Sequence, residues 1–218
     1  MATKISKADD GTTNERGSSR SALLNAASAL MTERGTIEIS LSDIAKYSGL
    51  NSALVKYYFG TKQGMMLALV EDVLGHGIAQ LKGLLEMDLD PVEKLKLHIK
   101  AIITVYFRYP YINRLLHFLF EDPESAQIVA QTISKPLAEA QRKLIEEGIE
   151  AGFFKPVDPM LLYFIVLGAC DHLFFGQHML RVGFGIDTID DELRRRYTNT
   201  LLDLMLNGML KEDAAARG

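Results

Sequence analysis

Cysteine is scarce in this chain: its 218 residues include a single one, Cys170. One cysteine excludes an internal disulfide and leaves too few thiolates for a structural zinc site. Because Cys170 lies inside the apolar run 160–170, it reads as a small buried core residue. That run is the longest apolar stretch, well short of the roughly 18 residues a membrane span needs. The N-terminus is polar and lacks the apolar segment of a signal peptide. No membrane partner is expected, and the cytoplasm is the expected location. The catalytic patterns are missing as well: there is no Gly-rich phosphate loop, no His-Glu-x-x-His, no nucleophile elbow and no carboxylate pair isolated on an apolar face. Glu146-Glu147 and Asp190-Asp191 read as solvated. No enzyme activity, catalytic residue, metal site or cofactor is therefore expected. Internal repeats, low-complexity tracts and the period-two alternation of strands are also absent, which leaves an all-α fold.

The net charge of −4 argues against a surface that coats polyanions, but the charge is uneven. Residues 1–62 carry eight Lys and Arg against six Asp and Glu, a balance of +2 that leaves −6 for the rest. A positive end on an acidic chain suits nucleic-acid binding by one small module. Residues 1–17 have almost no apolar side chains and read as a flexible arm, and 213–218 as a flexible tail. From Ser18, Leu23, Leu24, Ala27, Leu30 and Met31 recur at helical spacing until Gly35 stops the run, and Thr36-Ile37-Glu38-Ile39 reads as a connector. Beyond residue 60, Thr61, Pro91, Pro110, Asp122-Pro123, the turn from Gly152 to Pro156, Asp158-Pro159 and Asp190 punctuate about six further helices, with a long loop at 183–188. The expected layout is a three-helix domain over 18–64 and a larger helical domain over 65–212.

The stretch from Ser40 to Lys62 is the most informative. Ser40 with Asp43 three residues on is a capping pair, Leu41, Ile44 and Ala45 give an inner face, and Gly49 suits the left-handed residue that ends a helix. Asn51 can then cap a second short helix with Leu54 and Val55 inward and Ser52, Ala53, Lys56 and Tyr57 outward. Two short helices around a Gly-containing turn make a helix-turn-helix, whose second helix would enter the major groove. Lys56 could reach guanine edges or phosphate, and Tyr57 a thymine methyl. Thr61 and Lys62 at the next helix start suit a phosphate clamp. Tyr47 and Phe59 read as core of the small domain. On periodicity alone the pair is shared with other helical proteins, so an adaptor without DNA and an all-helical enzyme stay open.

The run Leu41-Ser42-Asp43-Ile44-Ala45, then Ser48-Gly49-Leu50-Asn51, then Val55-Lys56-Tyr57-Tyr58-Phe59-Gly60-Thr61-Lys62 resembles the N-terminal domain of the TetR family of transcriptional regulators over residues 19–66. The resemblance implies a homodimer on a palindromic double-stranded operator, acting as a repressor released by a small-molecule effector. It places Ser42, Ser52, Ala53, Lys56, Tyr57 and Tyr58 toward DNA, with Thr61 and Lys62 at phosphate. Three positions depart from the family pattern: Ala53 where glycine is common, Lys56 in place of tyrosine, and Gln63 in place of glutamate. The first two lie on the reading surface, so an operator sequence cannot be borrowed from a relative.

The second domain is rich in aromatics and histidines. Tyr106, Phe107, Asn113, His117, Phe118, Phe164, His172 and Phe175 are candidate ligand contacts, with Asn113, His117 and His172 as its polar set. The segment 158–181 is apolar nearly all round, which suggests burial against its own domain and against a second copy. Leu193, Tyr197, Leu201, Leu204 and Gly208 form the other expected dimer seam. Phe107-Arg108-Tyr109-Pro110 and Asp171-His172 are similar to the pyrimidine-utilisation regulators within the family, which implies a nitrogen-heterocycle ligand.

Overall fold

The computed structural model describes residues 10–211, with side chains from residue 17 onward. Eleven α-helices and one π-helical turn make up its regular structure, and no strand occurs among the described residues apart from an isolated bridge between Phe154 and Leu210. The chain divides into two compact units after Leu69.

The first unit holds α1 (Asp10–Arg34), α2 (Leu41–Ser48), α3 (Ala53–Phe59) and the start of α4 (Lys62–Leu85). Its core follows the helical spacing of the sequence: Leu23, Leu24, Ala27, Leu30 and Met31 of α1 are buried, with Ile39, Ile44, Val55, Met65 and Leu69. The connector 36–39 is irregular, as expected. The expected arm is corrected: α1 begins at Asp10, so 10–17 are helical, because extending a helix already nucleated by a packed face fixes only one residue per added bond. Residues 1–9 of that arm and the expected tail 213–218 lie outside the described residues.

The second unit contains the rest of α4, then α5 (Pro91–Arg108), α6 (Ile112–Phe120), α7 (Pro123–Val129), the π turn Ala130–Ser134, α8 (Lys135–Glu150), α9 (Pro159–Phe175), α10 (Gln177–Phe184) and α11 (Asp191–Met209). Three of these helices start alike. Asp90, Asp122 and Asp158 each accept first-turn amides while a proline, which has no N–H to satisfy, takes the first helical position. The π turn has a local cause. Pro136 lacks an amide and its ring would crowd the carbonyl four residues back, so the backbone widens there and Lys135 N–H bonds Ala130 O instead. In this unit α5 packs on α8, α9 and α11, α8 on α9, and α6 on α7 and α9.

Two features depart from the sequence reading. The helices beyond residue 60 outnumber the six expected, and the long apolar segment is broken at Gly176 into α9 and α10, bent by 64°. Among the described residues no single helix is long and apolar enough to cross a membrane; that bent pair passes by length and composition only. The loop begins at Gly185, after α10 has run on to Phe184. Cys170 is fully buried, and burial pushes its thiol up to about 12, so it remains protonated at neutral pH.

Candidate functional site

The helix-turn-helix is held by short-range bonds. Ser40 Oγ accepts from Asp43 N–H at 3.0 Å while Asp43 Oδ2 accepts from Ser40 N–H at 3.2 Å, the reciprocal box anticipated from the sequence. The same carboxylate takes a two-pronged bond from Arg34, at 3.1 and 3.2 Å, which ties the start of α2 to the end of α1. Hydrogen bonds from Arg34 and then Ser40 hold the Asp43 carboxyl well below its ordinary range. Tyr47 is a correction. It is half-exposed rather than core, because its hydroxyl donates to Glu33 Oε1 at 2.7 Å and so draws the ring outward. Phe59 is half-buried beneath the Arg20 guanidinium, 5.3 Å from its ring centre.

Gly49 ends α2 at φ 70°, a left-handed conformation that disfavours other residues. Ser52 already has helical dihedrals, and the cap on α3 comes from Asn51, whose Oδ1 accepts from Ala53 N–H at 2.9 Å. In α3 Val55 is buried and Lys56 and Tyr57 stand out, Tyr57 with 65% of its surface exposed. Ser42, Ser52, Ala53 and Thr61 are exposed too, whereas Lys62 and Tyr58 are half-buried, the latter edge-on to Tyr57 with ring centres 4.9 Å apart. Thr61 Oγ1 accepts from Gly64 N–H at 2.9 Å, so it caps α4 as anticipated. Gly64 itself escaped notice: a Cβ there would lie 2.2 Å from the Phe59 carbonyl oxygen, so only glycine allows the end of α3 to sit on the first turn of α4.

The candidate ligand contacts of the second unit separate into two groups. Tyr106 is buried and stacks on Phe174 at 6.0 Å, and Asn113 is buried to 1% exposure. Asn113 Oδ1 accepts from Arg114 N–H at 2.6 Å, and its Nδ2 has no acceptor within hydrogen-bond distance. His117 stands at the edge of this group, with its Nε2 3.8 Å from Asp171 Oδ2 and its ring 5.4 Å from that of Phe175. Asp171, which the sequence offered only within the Asp171-His172 pair and not as a candidate ligand contact, joins this group. Burial raises its carboxyl, and His117, Asn113 and His172 pull it back down. His172, expected in the polar set, is exposed; on α9 it falls on the outer face, one position from Asp171. Phe118 and Phe164 are exposed, and Phe107 is covered by the Arg194 guanidinium at 5.1 Å, so none of these three joins the group around Asn113. A second buried pair, His98 Nε2 and Gln141 Oε1 at 3.1 Å, joins α5 to α8.

One face of α9 is largely exposed among the described residues. Leu162, Val166, Cys170 and Phe174 point inward, while Leu161, Phe164 (67% exposed), Ile165 and Phe175 lie outward at helical spacing. The seam expected on α11 is split: Leu204 and Gly208 are exposed, but Leu193, Tyr197 and Leu201 are half-buried, and the Tyr197 hydroxyl donates to Ala169 O of α9 in the same chain.

Residues 23–69 match the family described as "Bacterial regulatory proteins, tetR family", and residues 88–215, more than half of the chain, match "Tetracyclin repressor-like, C-terminal domain". The HTH-type transcriptional regulator RutR of Escherichia coli (strain K12) is 27% identical over 156 residues, 70% of this chain and 72% of that protein. The HTH-type transcriptional repressor NicS of Pseudomonas putida is 23% identical over 199 residues, 87% and 92% of the two chains. Among solved structures, the regulator FadR from Bacillus subtilis in complex with stearoyl-CoA superimposes with a TM-score of 0.69 at 20% identity, covering 86% of this chain and 98% of that one. A TetR transcription regulator from Haloarcula marismortui gives 0.69 at 19% identity, covering 89% and 100%. At these identities the structural likeness speaks to the fold.

Proposed function

The chain belongs to the TetR family of transcriptional regulators, and from that premise we propose that it is a cytoplasmic homodimeric repressor, which leaves a palindromic operator when a small molecule binds its second unit. The observation that carries this reading is the surface of α3: Lys56 and Tyr57 project beside the small exposed Ala53 and Ser52, on a helix fixed at both ends by Asn51 and Gly60. Small side chains allow close approach to base edges, Lys56 can bond guanine or a phosphate, and Tyr57 can lie against a thymine methyl. Thr61 and Lys62 at the start of α4 would meet the flanking phosphate.

The exposed apolar face of α9, together with the exposed Leu204 and Gly208 of α11, supports the homodimer, since a long apolar stripe such as that of α9 is seldom left in water. Two copies would set their α3 helices into successive major grooves, about 34–36 Å apart. Helix α4 begins in the first unit and ends where Lys94 Nζ bonds the Leu85 carbonyl at 2.8 Å, which supports its role as the lever that a ligand would move. The repressor names of NicS, and of KstR2 from Mycobacterium tuberculosis, favour repression over activation. The stearoyl-CoA in the Bacillus subtilis structure illustrates a ligand in that regulator; its identity does not carry across at this distance.

Selection of bound fragments from sheared genomic DNA at about 0.15 M salt, where nonspecific phosphate attraction is weakened, tests the proposal. One enriched palindrome is expected; the absence of any enriched sequence would overturn it.

A further inference from the structure

This inference rests on the reading of the second unit as a ligand sensor and names the class of ligand. We propose that Asp171, Asn113 and His117, walled by Tyr106, Phe174 and Phe175, form a site for a small organic cation that carries N–H donors on an apolar body, such as an amine or an amidine. Three observations converge. Asp171 is a half-buried carboxylate whose only ion-pair partner among the described residues is an imidazole 3.8 Å away that is itself 62% exposed and is charged only when protonated. The groups that steady this carboxylate are His117, Asn113 and His172, none of them a permanent cation, so the expense of burying the charge is incompletely offset by the chain itself.

Asn113 supplies the second observation. Its Oδ1 is engaged by the Arg114 amide, and its buried Nδ2 is a donor that lacks an acceptor at hydrogen-bond distance. Buried amides are rarely left so; Asp171, which Asn113 already steadies, is the acceptor that a small closer approach would supply, so the amide positions this carboxylate for the cation. The third is the wall. Burial and, after it, the Asp171 charge raise the Tyr106 hydroxyl, whose ring stacks on Phe174, while the Phe175 ring packs against His117. A carboxylate beside aromatic faces attracts a cation through both its charge and the ring quadrupoles, and N–H donors add charge-assisted bonds.

The test is calorimetric titration of the full-length protein with benzamidine, a planar amidinium, and with benzamide, its neutral counterpart. The proposal expects saturable binding of benzamidine at one site per chain, about tenfold or more tighter than benzamide. Asp171→Asn, with folding checked by circular dichroism, should erase the preference. No binding of benzamidine, equal binding of the two probes by the unaltered protein, or a preference that survives in Asp171→Asn would overturn it. Because the titration contains no DNA, its failure leaves the operator selection untouched, and failure of that selection leaves this site standing.

Discussion

In the first unit the polar bonds join residues two to four, nine or fourteen positions apart, they lie mostly at the surface, and they position a helix whose own outward side chains remain unengaged with the core. The second unit has local caps as well, and adds bonds that join different helices: buried His98 meets Gln141 from 43 positions away, and Lys94 reaches Leu85 and Glu147. The first arrangement separates presentation from stability, so outward residues can change without unfolding the frame. The second makes the two inseparable, because a buried polar group that loses its partner retains its desolvation penalty. A surface that reads a sequence needs the former, and an interior that responds to a bound molecule needs the latter.

The largest expected effect falls on the proposed contact between copies. Phe164→Asp places a charge in the centre of the outer α9 face and should convert the dimer to a monomer by sedimentation at micromolar concentration, with the helical content intact. A variant that stays dimeric would move the interface elsewhere. Next comes the second unit's packing. A Cβ on Gly148 would lie 2.1 Å from the fully buried Phe154 ring, so Gly148→Ala should lower stability by about 1–3 kcal/mol in urea unfolding. In the first unit Ser40→Ala removes a cap and should cost about 1 kcal/mol, visible in hydrogen exchange at α2 more than in global unfolding.

The smallest effects are those of pH, and they differ in sign between the units. The Asp43 carboxyl is held below its ordinary value, so the folded form takes up fewer protons; its contribution is present above that value and is lost as pH falls. Asp43→Asn should therefore weaken the protein at pH 6 by more than at pH 3. The Asp171 carboxyl is raised, so the folded form holds the proton more tightly and stability falls as pH rises through that window. Asp171→Asn should relieve this, matching or exceeding the parent in stability at pH 7, with the difference shrinking on acidification. Urea midpoints at the two pH values check both signs, and like signs would remove the contrast.

The same difference explains what the sequence made legible. Ser40 with Asp43, Gly49, and Asn51 before Ala53 are local signals whose partners stand within three residues, so the frame of α2 and α3 could be read directly. Tyr47 was misplaced because its partner, Glu33, belongs to another helix. Asp171 was left out of the candidate contacts for a similar reason: nothing in α9 indicates that His117 and Asn113 of α6 will meet it, whereas its neighbour His172 looked equally suitable and faces outward. Gly64 and Gly148 look like ordinary helical residues, and only the approach of the Phe59 carbonyl and the Phe154 ring explains them. The break at Gly176 falls where Gly176, Gln177 and His178 interrupt the apolar run, a signal that reading 158–181 as one apolar segment passed over.

The most direct test of the central claim is fluorescence anisotropy of a selected duplex and a scrambled one at about 0.15 M salt, for the unaltered protein and for Lys56→Ala combined with Tyr57→Ala. The account predicts that the unaltered protein favours the selected duplex and that the double variant loses that preference by about 100-fold while sedimenting as the same dimer. Undiminished preference in the double variant would contradict it, since α3 would then not be the surface that reads DNA.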